Sequence, residues 1–152
     1  MSIDPERGLR SLELVVRLRK LEETRALTRL ASSRAAVEKK EERISELRDR
    51  RGEIIGDLDS QDNGNDSGGA RVRQRMFLER LRYAEKEEEV QAVDLRRAWT
   101  THQQGYEEAR KRRRACESLR DRRADELTAE REARTEMIGE ARNLMSREEV
   151  DR

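Results

Sequence analysis

The stretch from about Val72 to Glu148 limits what this chain can fold into more than any other. It contains no proline, and its only glycines are Gly105 and Gly139. Leu81, Leu95, His102, Ala109, Cys116, Met137 and Leu144 recur on a seven-residue frame, interrupted by Glu88, Arg123 and Glu130. A repeat sustained over that length predicts one long helix with an apolar edge that needs a partner. No catalytic constellation accompanies it, so function has to be read from what such a helix can touch.

Composition agrees, because only 33% of the 152 residues are hydrophobic and 3% aromatic, too few for a globular core. Charged residues make up 45% of the chain. That fraction would suit disorder, but the apolar residues keep a helical period through both halves and the turn formers are concentrated in one place. The 35 basic and 34 acidic residues nearly cancel, so no bulk positive field points to DNA or to an anionic membrane, and proteins are the expected partners. Arginine far outnumbers lysine; this favours forked, bidentate contacts, although genome base composition accounts for the bias as readily. Cys116 is the single cysteine, which excludes an internal disulfide and fits a reducing compartment. The apolar run from Leu9 to Leu21 is broken by five charges and does not read as a signal peptide, and no run is long enough to span a membrane. A soluble, cytosolic protein is expected.

Helix one is expected over about residues 6–58, with Ser2 or Asp4 as cap and Pro5 in the first turn. Counting by seven from Leu9 gives Val16, Glu23, Leu30, Val37, Ile44, Arg51 and Leu58. The position three further on gives Leu12, Arg19, Ala26, Ser33, Lys40, Leu47 and Ile54. The two lines form a heptad seam whose polar members, such as Lys40 and Arg51, set register at some cost in stability. Leu14, Leu18 and Leu21 form a separate apolar line off that seam, either a docking site or a surface packed by the chain's own C-terminal segment.

Residues 59–70 read as the loop between the helices, within a run from Gly56 to Gly69 rich in turn formers. Asp57, Asp59 and Asp62 invite comparison with a calcium loop, but the later bidentate glutamate is missing and Gly64 falls out of frame, so a solvated turn is preferred. Ser67 is a candidate cap for helix two, expected over residues 71–148. A connection this short folds the helices back antiparallel, pairing residues whose numbers total about 130. Helix two then outruns helix one by some twenty residues at 1.5 Å per residue. From about Asp125 it has no partner within the chain, yet it carries Leu127, Ala133, Met137, Ile138, Ala141, Leu144 and Met145. Fraying, dimerisation with a second copy and binding of another protein all satisfy that stripe.

Arg110 to Arg123 is strongly basic, with Arg110, Lys111, Arg112, Arg113, Arg114, Arg120, Arg122 and Arg123 against only Glu117 and Asp121. The pairing places it beside Arg7, Arg10, Arg17, Arg19 and Lys20, forming a basic collar near the open end. No aromatic interleaving supports nucleic acid there, and an acidic protein surface fits as well. His102 lacks a second ligand or a nucleophile and reads as a packed histidine. Glu87, Glu88 and Glu89 read as a solvated charge run, and Trp99 and Tyr106, seven apart, as cover for the seam. No catalytic residue, metal site or cofactor is expected, and the chain is read as a non-enzyme.

The run Leu9–Glu23, the pattern from Glu117 to Leu119 and the pattern from Glu130 through Arg131 and Glu136 to Ala141, set on a charged antiparallel hairpin with a longer second helix, resemble the FliJ/YscO family of type III export stalk proteins. The resemblance implies a central stalk, similar to the γ subunit of rotary ATPases. Its open end enters a hexameric export ATPase and stimulates it, and it also contacts an export gate protein and export chaperones at the inner membrane. It implies an export-gate contact through Phe77, Leu81 and Ala84, with Glu88 where the family has histidine. A further departure is Gly139-Glu140 in place of the family's acidic pair. Joined to the basic stretch and the unpaired end read from the residues, the resemblance leads to an expected ATPase contact through Arg110, Arg112, Arg113, Arg114, Arg120 and Arg122 with Met137, Ile138 and Leu144. A monomer without direct membrane insertion is favoured; the alternatives are a homodimeric structural coiled coil and, behind it, a nucleic-acid-binding hairpin.

Overall fold

Asp4 stands before the first helical turn and accepts a hydrogen bond from the Glu6 amide at 3.1 Å through Oδ1, while Pro5 fills a position whose missing N–H has no intrahelical partner. From this start α1 runs over Pro5–Gln61, and α2 runs over Gly68–Val150. The computed structural model describes residues 4–61 and 68–152, and no strand occurs among them. The helices have 57 and 83 residues. They pack against each other antiparallel, with Lys40 meeting Glu88 and Glu6 meeting Arg131. The chain is an all-α helical hairpin with a longer second helix.

Both helices reach further into the connection than the turn-forming residues suggest. Asp59, Ser60 and Gln61 continue α1, and Gly68, Gly69 and Ala70 are already helical in α2. Ser60 Oγ donates to the Gly56 carbonyl at 2.9 Å, so its hydroxyl follows the helix instead of leaving it. Leu58 keeps a half-buried seam position, and tertiary packing at that point outweighs weak local propensity. Ser2, Asp62, Gly64 and Ser67 lie outside the described residues.

Packing groups the chain into two units. One is Ala26–Tyr106, and there Val37, Ile44 and Leu47 of α1 and Leu78, Leu81 and Ala92 of α2 are buried. Glu85 is buried among them. Its Oε1 accepts from Arg48 Nε at 3.0 Å, and its Oε2 lies 2.8 Å from Arg51 Nη1 at an angle that makes a charge contact rather than a hydrogen bond. Two cations thus hold a carboxylate that would be costly to bury alone. Glu88 and Glu89 do not form a solvated run. Glu88 is half-buried on Lys40 at 2.6 Å, Glu89 is half-buried and accepts from Arg48 at 2.8 Å, and Glu87 alone of the three is exposed. The heptad brings Glu88 onto the packed edge, and a cation from α1 meets it there.

The other unit joins Met1–Arg25 to Glu107–Arg152, with Val16 and Leu127 as its buried apolar residues. Glu23 and Arg113 meet in its seam, and Glu117 also bonds Arg113, at 2.8 Å. In both units the two expected lines of α1, from Leu9 to Leu58 and from Leu12 to Ile54, are buried or half-buried at every position, polar members included. On α2 the expected frame from Leu81 to Arg123 is equally covered, alongside a second line from Leu78 through Trp99 and Tyr106 to Leu127. Because stability rests on that narrow strip, Ile44→Ala should cost about 2–3 kcal/mol. Leu14→Ala, on the outer surface of α1, should stay within about 0.5 kcal/mol. Urea unfolding followed by circular dichroism distinguishes the two.

Candidate functional site

The surface that stands out is the end of α2. Its partner ends where α1 begins, and Glu6 there pairs with Arg131. Every residue from Glu130 onward is exposed, among them Met137 (70%), Ile138, Leu144, Met145 and Val150. The seven-residue frame continues through Glu130, Met137 and Leu144, but among the described residues no facing helix covers it. The unpartnered segment begins later than the expected Asp125, because Leu127 is buried and Ala124 half-buried. The cause is register: Glu23 meets Arg113, Lys20 lies near Glu117 and Glu6 meets Arg131, each several residues further along α2 than a pairing total of 130 requires. Residues 132–150 are the helical end left bare.

The six arginines expected at the ATPase contact divide into two groups. Arg113 and Arg120 are seam residues: Arg113 is held by Glu23 and Glu117, and Arg120 lies 3.0 Å from Asp121. The hydrogen bond that Arg113 donates to Glu23 is the main reason its pKa is raised further, burial opposing it and Glu117 adding to it. Arg112 reaches only Glu108, at 3.8 Å in solvent. Arg110, Arg114 and Arg122 are exposed and make no ion pair among the described residues. They sit on both flanks of α2, so the outward charge girdles the helix instead of forming one patch. On α1, Arg19 bonds Glu22 at 2.9 Å, which is the leading cause of its raised pKa, and Lys20 lies 3.6 Å from Glu117.

Phe77, Leu81, Ala84 and Glu88 share one side of α2, and that side is the one turned toward α1. Leu81 is 6% exposed and Glu88 is held by Lys40, whereas Phe77 is 43% exposed and Ala84 half-buried at the seam's edge. The structure therefore splits the expected four-residue contact into two seam members and two edge members. Met76, Tyr83 and Val90 form an exposed apolar line on the far side of the same helix, which the seam pattern alone does not single out. The signal for it is a further frame of seven, two positions after the seam line of Gln74, Leu81 and Glu88.

The ends and edges of the hairpin offer aliphatic surface and fixed charge. Among the described residues no group of metal-ligating side chains occurs, and no helix is long and apolar enough to cross a membrane. Comparison with family models matches residues 9–137 to the flagellar FliJ protein family, and the chain belongs to that family. Membership makes it a structural component of flagellar protein export. Neither the curated proteins nor the solved structures gave a match.

The burial boundary predicts how the end tolerates deletion. A chain stopping after Arg131 should keep the thermal midpoint of the full chain. One stopping after Ala124 loses Leu127 and the Glu6 contact and should melt several degrees lower, as a loss of about 2 kcal/mol in a chain of this size requires. Differential scanning calorimetry reads both.

Proposed function

We propose that this chain is the non-enzymatic central stalk of the flagellar export ATPase. In this reading residues 132–150 enter the hexameric ATPase, and Met137, Ile138 and Leu144 bury their exposed side chains inside the ring. The free arginines Arg110, Arg114 and Arg122, with Arg112, face acidic groups around its mouth. Charges in that position chiefly set the rate and orientation of docking. Arg113 and Arg120 act from the seam, holding α2 in register. The observation that carries the reading is the bare apolar end of α2 in a chain of the FliJ family.

Phe77 and Ala84, at the edge of the seam, are the proposed contact with the export gate, with Leu81 and Glu88 supporting them from inside it. Export chaperones are further proposed partners, and the protein is placed in the cytoplasm, peripheral to the inner membrane at the export apparatus. The chain acts as a monomer. A homodimer that buries residues 132–150 against a second copy is the alternative, and light scattering at micromolar concentration separates the two by a mass near 17.9 kDa or twice that.

Replacing Arg110, Arg114 and Arg122 together by glutamate should abolish stimulation of the cognate export ATPase at low salt while leaving helicity intact. Unchanged stimulation would remove the arginines from the contact. The chain ending at Arg131 should fold and fail to bind the ATPase; retained binding would sink the role of the bare end.

A further inference from the structure

Leu14, Leu18 and Leu21 are 64%, 54% and 48% exposed and lie on the side of α1 opposite the seam. The arginines around them, Arg7, Arg10, Arg17 and Arg25, are all exposed and make no ion pair among the described residues. Three acids at this end are held by cations off that face: Glu6 by Arg131, Glu22 by Arg19 and Glu23 by Arg113. Glu13, the remaining acid of this segment, is exposed on the flank between the leucines and the seam, one turn from Arg10 and Arg17. The outward surface from Arg7 to Arg25 therefore carries four cations against one exposed acid at its flank. A near-neutral total charge conceals that sorting, which emerges only when the helix is placed against its partner.

We propose that this face of α1 binds an anionic lipid surface, with the leucines in the interfacial layer and the arginines on lipid phosphates. An amphipathic helix with a short apolar line between cations has the chemistry for that position. Arginine suits phosphate through its forked donors, and its alkyl stem lets the charge reach the headgroups while the leucines sink. The hydroxyls of the segment are turned to the backbone: Ser11 Oγ donates to the Arg7 carbonyl at 3.0 Å and Thr24 Oγ1 to the Lys20 carbonyl at 2.9 Å. The surface then offers alkyl groups and guanidinium charge, a combination that a fluid headgroup layer satisfies without a fixed pattern of partners. An acidic protein groove would be the other occupant, and the leucine line, two turns long, is small for a stable protein interface of about 800 Å² per partner.

The test is sedimentation of the full chain with vesicles of phosphatidylcholine, with and without phosphatidylglycerol. Binding should require the anionic lipid and weaken as salt rises. Changing Arg7, Arg10, Arg17 and Arg25 to glutamine should weaken it by roughly two to three orders of magnitude, since each cation near an anionic surface contributes on the order of a fivefold factor. Changing Leu14, Leu18 and Leu21 to serine should also weaken it, with circular dichroism checking that both variants fold. Leu18→Trp supplies a reading that does not depend on loss: its emission should shift to the blue on anionic vesicles beyond any change in the wild-type chain. Absence of binding, binding that either set of substitutions leaves unchanged, or no blue shift overturns the proposal; binding only to an acidic protein would give the face to that partner instead.

Discussion

A seam two side chains wide holds α1 to α2, and much of the rest follows from how little apolar surface such a strip buries. Among the described residues, Val16, Val37, Ile44, Leu47, Leu78, Leu81, Ala92 and Leu127 are the buried apolar ones. Between them lie layers occupied by Lys40, Arg51, Glu85, Glu88 and Arg113, which tolerate burial because the facing helix supplies the opposite charge. Polar layers of this kind bring little net stability but penalise a shifted register, since a slip leaves a buried charge alone. Apolar layers give the strip its adhesion and charged layers give it alignment.

That division explains why the same residue type has different roles along one helix. Arg113 and Arg114 are neighbours, yet the first is locked between Glu23 and Glu117 and the second is free. Met137 and Leu81 occupy the same heptad frame, but Leu81 faces α1 while Met137 lies beyond its beginning. Position relative to the partner helix decides whether a side chain serves cohesion or is left for another molecule. The bare end of α2 and the outer leucines of α1 are both surfaces that the seam does not use.

Much of the architecture was legible in the chain. Period seven in both halves, one proline at the first turn and a single cluster of turn formers specify two long helices and an antiparallel return, because a short connection lays the second apolar edge back on the first. The frames from Leu9 and Leu12 followed the packed side of α1 throughout. The loop was harder to bound, since glycine and aspartate lower helix propensity by amounts that a packed residue such as Leu58 offsets. At the candidate site the apolar stripe of Met137, Ile138 and Leu144 could be read directly, but the sorting of the arginines beside it could not, because Glu23 lies ninety residues away along the chain from Arg113.

By itself the sequence determined the helices, the seam residues of α1 and the presence of an unmatched end, all of which depend on local periodicity and length. The tertiary structure decided which charges are paired, where α2 loses its partner and which apolar residues remain outside. Those outcomes depend on the register between helices, and register is set by side chains meeting across the hairpin: Glu85 between Arg48 and Arg51, Glu23 on Arg113, Glu6 on Arg131. A one-dimensional pattern fixes the side of a helix that packs, and only the facing helix fixes what each position on that side meets.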